Sequence, residues 1–318
     1  LASERDRRMT ILLTPFMSCS AKIPIYGVFS AAFFPDHAAL VMIGLYILGI
    51  LVGIVAAKVL GATAFRGNPV PFVMELPNYR FPSAKSVGQL CWDKAKDFLT
   101  RAFTIIFVAT ILVWFLQTFD TRLNLVSDSA DSLLATVGAW IAPVLAPLGF
   151  GDWKPTVATV LGLVAKEEVV NVFGILYNTD TDERDTATLL EEGSEEEVEQ
   201  GLSPIAQNFD EMSGGYGRLA AFAFMIFNLL CAPCFAAIGA IKREMNNARW
   251  TWFAIGYQCV FAYVIALIVF RLGILVAGAG FTVWTAVALV LLAGLIYLLA
   301  RPNRYDENHL TQKVGVGA

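Results

Sequence analysis

Long apolar stretches separated by short polar segments set the pattern of this chain. They run over 10–34, 38–60, 98–119, 132–150, 154–177, 217–241, 250–270 and 280–300. About 20 mostly apolar residues suffice for a helix to cross roughly 30 Å of hydrocarbon. Read as eight crossings, the pattern predicts an all-α, polytopic integral membrane protein whose helices are broken by proline. The stretch 132–150 is the weakest crossing, because it is short and holds Pro143 and Pro147. If it re-enters instead, every later segment inverts. Composition agrees with a membrane protein: of 318 residues, 57% are hydrophobic and 16% charged, where a soluble domain carries about 25% charged residues.

The expected organisation is first spans over 1–60, a polar loop over 61–97, core spans over 98–177, an acidic loop over 178–216, last spans over 217–300 and a tail over 301–318. Charge orients these parts. Lys and Arg collect on the cytoplasmic side, which places Arg66, Arg80, Lys85, Lys94 and Lys96 inside, together with Lys242, Arg243 and Arg249. The N-terminal arginines and the tail go inside as well. Between Asn178 and Tyr216, twelve acidic residues face only Arg184, a net −11 in a chain whose total is −4. Counting crossings places this loop outside, where it could focus cations, although a disordered, solvated segment is the commoner meaning of such a run. Asp36 and His37 read as a solvated outer turn. Trp92, Trp114, Trp153, Trp250 and Trp252 read as interfacial anchors. The start at Leu1, without Met, reads as that of a fragment or a processed chain. Five cysteines and no small secreted domain argue against a disulfide scaffold.

Three apolar stretches depart from a plain span. In 10–34, Pro15 and Pro24 each remove a backbone donor and flank Met17, Ser18, Cys19, Ser20 and Lys22. On a continuous helix, Pro15, Cys19, Lys22 and Tyr26 would share a face. A lysine at that depth must snorkel or pair. In 154–177, Lys166 and Glu167 lie inside the apolar run, and Glu167, Asn171, Gly174 and Asn178 form a helical stripe. In 217–241, Met225, Asn228, Cys231 and Cys234 recur every three residues, and Pro233 should free the carbonyl of Leu229. Segments 14–21 and 230–237 echo each other faintly, each with Pro and Cys among small residues.

Breaks of this kind mark the central sites of transporters, where freed carbonyls coordinate cations. Thiolate, thioether, carboxylate and carbonyl together suit a borderline-soft divalent metal better than Na⁺ or Mg²⁺. Cys19, Cys234, Glu167 and Cys231 are therefore the candidate metal contacts, with Pro15, Ser18, Lys22, Lys166, Asn171, Asn228 and Pro233 as support. Each has a plainer meaning. Buried cysteines usually pack, Lys166–Glu167 could be a structural ion pair, Glu168 lies on another face, and Lys22 reads as a counter-ion. Cys231 and Cys234 could instead form a redox pair of a membrane thiol–disulfide protein, which would need a lowered thiol pKa. A scaffolding fragment and a carrier of another solute, such as a nucleoside, are further alternatives.

At these residues the chain resembles the ferrous iron transporter B (FeoB) family. The matching strings are Pro15-Phe-Met-Ser-Cys-Ser-Ala-Lys-Ile-Pro-Ile-Tyr26, Met74-Glu-Leu-Pro-Asn-Tyr-Arg-Phe-Pro82, Pro147-Leu-Gly-Phe-Gly-Asp-Trp153, Ala165-Lys-Glu-Glu-Val-Val170, Pro233-Cys234 and Arg243-Glu244. The resemblance implies a transporter, not an enzyme, carrying Fe²⁺ into the cytoplasm across a prokaryotic plasma membrane. It gives Cys19, Glu167 and Cys234 gate and ion-path roles, whereas Cys231 and the acidic loop are no part of the motifs. It also implies a GTP-binding domain preceding the membrane part. No G-x-x-x-x-G-K-[ST] loop occurs here, so GTP would act only through that domain. Expected partners are Fe²⁺, membrane lipids, the GTP-binding domain and a possible second copy of the chain, with no cofactor bound by this chain and no nucleic acid.

Overall fold

The computed structural model describes residues 4–65, 81–101, 107–122, 124–126, 131–177 and 195–300. Residues 66–80 of the polar loop, Asn178, the first part of the acidic loop and the tail lie outside the described residues. The helices are α1 (Glu4–Leu13), α2 (Ile23–Phe33), α3 (Ala38–Thr63), α4 (Ala84–Arg101), α5 (Phe107–Thr118), α6 (Leu133–Leu145), α7 (Trp153–Leu161), α8 (Glu168–Leu176), α9 (Glu195–Ser213), α10 (Gly217–Leu230), α11 (Phe235–Met245), α12 (Ala248–Val276) and α13 (Val283–Ala300). Among the described residues no strand forms.

Among the described residues five stretches are long and apolar enough to cross a membrane: Glu4–Phe33, Pro35–Gly61, Gly217–Met245, Ala248–Val276 and Val283–Ala300. A sixth exists if Leu133–Leu148 and Trp153–Leu161, bent by 100° to each other, make one broken span. Among the described residues the eight expected crossings are not reproduced as eight continuous spans. The third stretch includes residues 102–106, which lie outside the described residues, and its described part ends in α5. The fourth ends in a tight turn. Gly149 adopts a left-handed φ of 90°, and a side chain on Gly151 would collide with the backbone of Ala146. Asp152 then caps α7, its Oδ1 accepting from the Trp153 N–H at 2.8 Å, and Arg271 Nε donates to the Pro147 carbonyl at 2.7 Å. The Pro147–Trp153 motif is the sequence of this turn. The fifth stretch is split into α7 and α8, of nine residues each.

Two apolar clusters sandwich the breaks. The larger is rich in phenylalanine: Phe29 meets Phe224 at 4.9 Å and Phe173 at 5.1 Å, while Phe150 meets Phe224 at 5.2 Å. The smaller joins Leu12, Leu60, Phe65, Ile241, Met245 and Ala254 at the basic end of the chain. There Arg5 donates to the Phe65 carbonyl at 2.6 Å, and Arg8 lies 5.1 Å over Trp250.

The expectation of a disordered acidic loop is corrected over its second half. Residues 195–213 form α9, with Ile205 and Phe209 fully buried. Two apolar anchors turned to the same side dock this helix on α2 and α10. Asp210 serves the following turn, its carboxylate accepting from the Gly217 N–H at 2.7 Å.

Candidate metal path

The stretch 10–34 is not a continuous helix. After α1, a single 3-10 turn (Thr14–Phe16) gives way to extended backbone at Met17 (ψ 135°) and Cys19 (φ −113°, ψ 165°). Pro15 and Cys19 therefore do not share a helical face with Lys22, which corrects that expectation. Pro24 sits in the first turn of α2, where a missing N–H costs nothing. It starts a helix and does not kink one. The close passage of α3 holds this break in place: a side chain on Gly49 would lie 2.9 Å from the Phe16 carbonyl.

The stretch 217–245 breaks in the same manner. Helix α10 ends at Leu230, and Cys231 (ψ 171°) and Cys234 (ψ 161°) are extended. The carbonyl of Leu229 would take the N–H of residue 233 in a helix, and residue 233 is proline. That carbonyl accepts instead from the Lys22 Nζ at 2.7 Å, and Lys22 also donates to the Pro15 carbonyl at 3.0 Å. Lys22 is 3% exposed, so its ammonium bridges the two breaks from inside the protein. The third break, between α7 and α8, joins them. The Phe235 N–H donates to the Leu163 carbonyl at 2.8 Å, and Lys166, 2% exposed, donates from Nζ to Cys231 Sγ at 3.0 Å. Among the described residues neither lysine has a carboxylate partner.

A cavity of about 360 Å³ opens at this junction, bordered by Met17, Cys19, Lys22, Lys166 and Cys234, with Glu244 farther out. Cys19 is exposed to it and Cys234 partly so, while Cys231 is buried. Glu167 and Asn171 are exposed and do not border it, and Glu167 makes no ion pair with Lys166. Among the described residues no three His, Cys, Asp or Glu side chains gather as a ready metal cage. The chemistry available is a set of dispersed soft donors beside two ammonium groups. Asn228 is fully buried and donates to Phe224 at 3.1 Å.

Sequence reasoning named Ser18, Lys22 and Tyr26 but missed that Ser30 extends them into one row of polar groups. Ser18, Lys22, Tyr26 and Ser30 recur every four residues; the Ser18 and Tyr26 hydroxyls pair with each other, and the Ser30 hydroxyl is buried without a hydrogen-bond partner among the described residues. The Asn228 Oδ1 is in the same state. The i, i+4 spacing was the available signal.

Comparison with known proteins now fixes the relationship. Residues 42–94 match a family profile described as "Ferrous iron transport protein B C terminus", and residues 99–248 match the Gate profile, described as "Nucleoside recognition". The chain is 34% identical over 86% of its length to an Fe(2+) transporter FeoB of Staphylococcus aureus. It is 36% identical over 84% of its length to an Fe(2+) transporter FeoB of Campylobacter jejuni. The chain belongs to the FeoB family. A fusion protein of Porphyromonas gingivalis, named Fe(2+) transport protein A/Fe(2+) transporter FeoB, is 34% identical over 86% of the chain. The chain spans 35–42% of the length of these three relatives, and no solved structure matches it. Of the three breaks in this FeoB-type chain, the second and third fall inside the Gate match. The first, at Pro15–Lys22, precedes both matched stretches.

Proposed function

We propose that this chain forms the membrane permease part of an Fe²⁺ transporter and moves the ion toward the cytoplasm. One observation carries the reading: three backbone breaks meet at one cavity, where Cys19, Met17 and Cys234 present sulfur. Thiolate and thioether suit Fe²⁺ better than the hard ions, and separated ligands permit the ion to leave. In this reading Cys19 and Cys234 touch the ion, and Cys231 and Lys166 hold the second break in shape. The cavity opens toward the basic end of the chain, the cytoplasmic side by charge. A plasma-membrane location, both chain ends inside, and a GTP-binding domain in the longer parent protein belong to the same proposal.

The second reading is a nucleoside carrier, favoured by the description of the Gate profile. Such a pocket needs aromatic faces and amides. The lining here is sulfur, ammonium, aliphatic carbon, one hydroxyl and the Glu244 carboxylate, with no aromatic ring and no amide side chain among its described residues, which favours the metal.

The test is Fe²⁺ uptake under reducing conditions, by the complete parent protein, in cells without their own ferrous uptake. Cys19→Ser and Cys234→Ser, at equal membrane abundance, are expected to lose at least about tenfold in uptake. Undiminished variants would sink the proposed contacts. Glu167→Gln is a separate arm. Loss there would move the path to the outer face of α8.

A further inference from the structure

The Lys22 ammonium occupies the place where a broken-helix transporter ordinarily seats its ion. Its two acceptors, the Pro15 and Leu229 carbonyls at 3.0 and 2.7 Å, are the oxygens that the two breaks release. We propose that Lys22 is the selectivity residue of the path, a tethered cation that keeps hard ions off these carbonyls and yields only to a sulfur-seeking divalent ion. The proposal rests on the iron-transport reading and extends it to a residue outside the proposed metal contacts.

The reasoning is one of ligand competition. Two free carbonyls beside an open cavity would make a seat for Na⁺, Mg²⁺ or Ca²⁺, all of which take oxygen ligands. With the ammonium on them, an entering hard ion finds the sulfurs of Met17, Cys19 and Cys234 and two positive charges, Lys22 and Lys166. The one carboxylate on the lining, Glu244, is a single oxygen ligand group on an exposed residue, too few to replace the water of a hard ion that takes about six or more oxygens, and Mg²⁺ in particular dehydrates reluctantly. Fe²⁺ gains bonds to sulfur that offset the repulsion, and it can then compete for the oxygens. A displaced ammonium also has acceptors in reach of the same segments. Asn228, beside Leu229, holds a buried amide oxygen without a donor among the described residues, and the paired hydroxyls of Ser18 and Tyr26 lie on the first break and on α2.

Removing the charge should therefore broaden selectivity before it abolishes transport. The experiment measures Fe²⁺ uptake by the full-length parent protein against rising Mg²⁺ and Ca²⁺, for wild type, Lys22→Met and Lys22→Arg. Wild type and Lys22→Arg are expected to resist the competitors. Lys22→Met should be half-inhibited at concentrations at least about tenfold lower. An unchanged competition profile in a folded Lys22→Met protein overturns the proposal. The ratio of half-inhibiting concentrations does not depend on how much protein is present. A purely structural lysine would lower uptake without changing that ratio.

Should Lys22→Met not accumulate, the wild-type protein decides alone. Purified anaerobically, it is treated with a small water-soluble acylating reagent, and modification of Lys22 is read by mass spectrometry. Fe²⁺ should raise the rate several-fold and excess Mg²⁺ should not. Equal rates with both ions, or no change with Fe²⁺, overturn it. Absence of wild-type uptake would sink the iron reading, while the acylation result would still judge Lys22.

Discussion

Pro233 shows how one side chain shapes the site. By withholding an N–H it strands the Leu229 carbonyl, and Lys22 answers it. The freed carbonyl was legible from the i, i+4 rule of the helix. Its partner was not, because Lys22 lies 207 residues away in sequence and no local pattern pairs them. A lysine at that depth was expected to snorkel or to act as a counter-ion, and backbone carbonyls turned out to be its acceptors. Pro233→Ala restores the missing donor and permits α10 to continue. We expect fold stability to hold or rise and Fe²⁺ uptake to fall by at least about tenfold, measured together by thermal unfolding and by uptake at matched abundance. Loss of both at once would mean that the proline only serves folding. Cys231 was legible as a member of the site region but not as the acceptor of Lys166. With its sulfur buried and engaged, it lacks the access that thiol exchange with a partner protein requires.

At the level of elements, the pattern of apolar runs located the spans and missed how several of them end. Composition cannot distinguish a crossing from two short helices meeting at 100°. The difference lies in Gly149 and Gly151, whose turn needs a left-handed backbone and an absent side chain. The acidic run misled for a related reason. Net charge dominated the reading of 178–216, while Ile205 and Phe209 supplied the burial that orders α9. Helix α4 carries a clear consequence of patterning. Val87, Cys91, Ala95, Leu99 and Trp92 form one apolar arc at 3.6 residues per turn, with Lys94 on one border and Lys85 and Lys96 on the other. The described side chains of this helix are exposed. Such an arrangement lies flat at an anionic bilayer surface. Alkylation of Cys91 in the whole chain by a membrane-impermeant maleimide should be at least about fivefold slower in anionic than in zwitterionic bilayers. Reversing the three lysines to glutamate should remove the difference. Equal rates in both lipids would place the helix in water or under protein.

Considered whole, the molecule is layered: a basic end with a small apolar cluster, a plane of three breaks, and a thick phenylalanine-rich layer beyond them. The broken-helix design and its family were legible from the motifs, because proline, cysteine and lysine inside apolar runs are costly and therefore informative. The layering was not, since it arises from contacts among helices far apart in the chain. It also sets the electrical behaviour of the protein. Phe29, Phe173, Phe209 and Phe224 meet with ring centres 4.9 to 6.2 Å apart, and a constriction this dry sheds its water. Among the described residues this cluster is fully packed, and on the proposed path it would interrupt a column of water. A planar bilayer holding the protein should pass no steady current above background, with or without Fe²⁺, whereas Phe224→Ala should introduce a measurable leak. On the proposed path the phenylalanine layer would make the resting protein an insulator, and an ion crossing it would travel with a rearrangement of the protein around it.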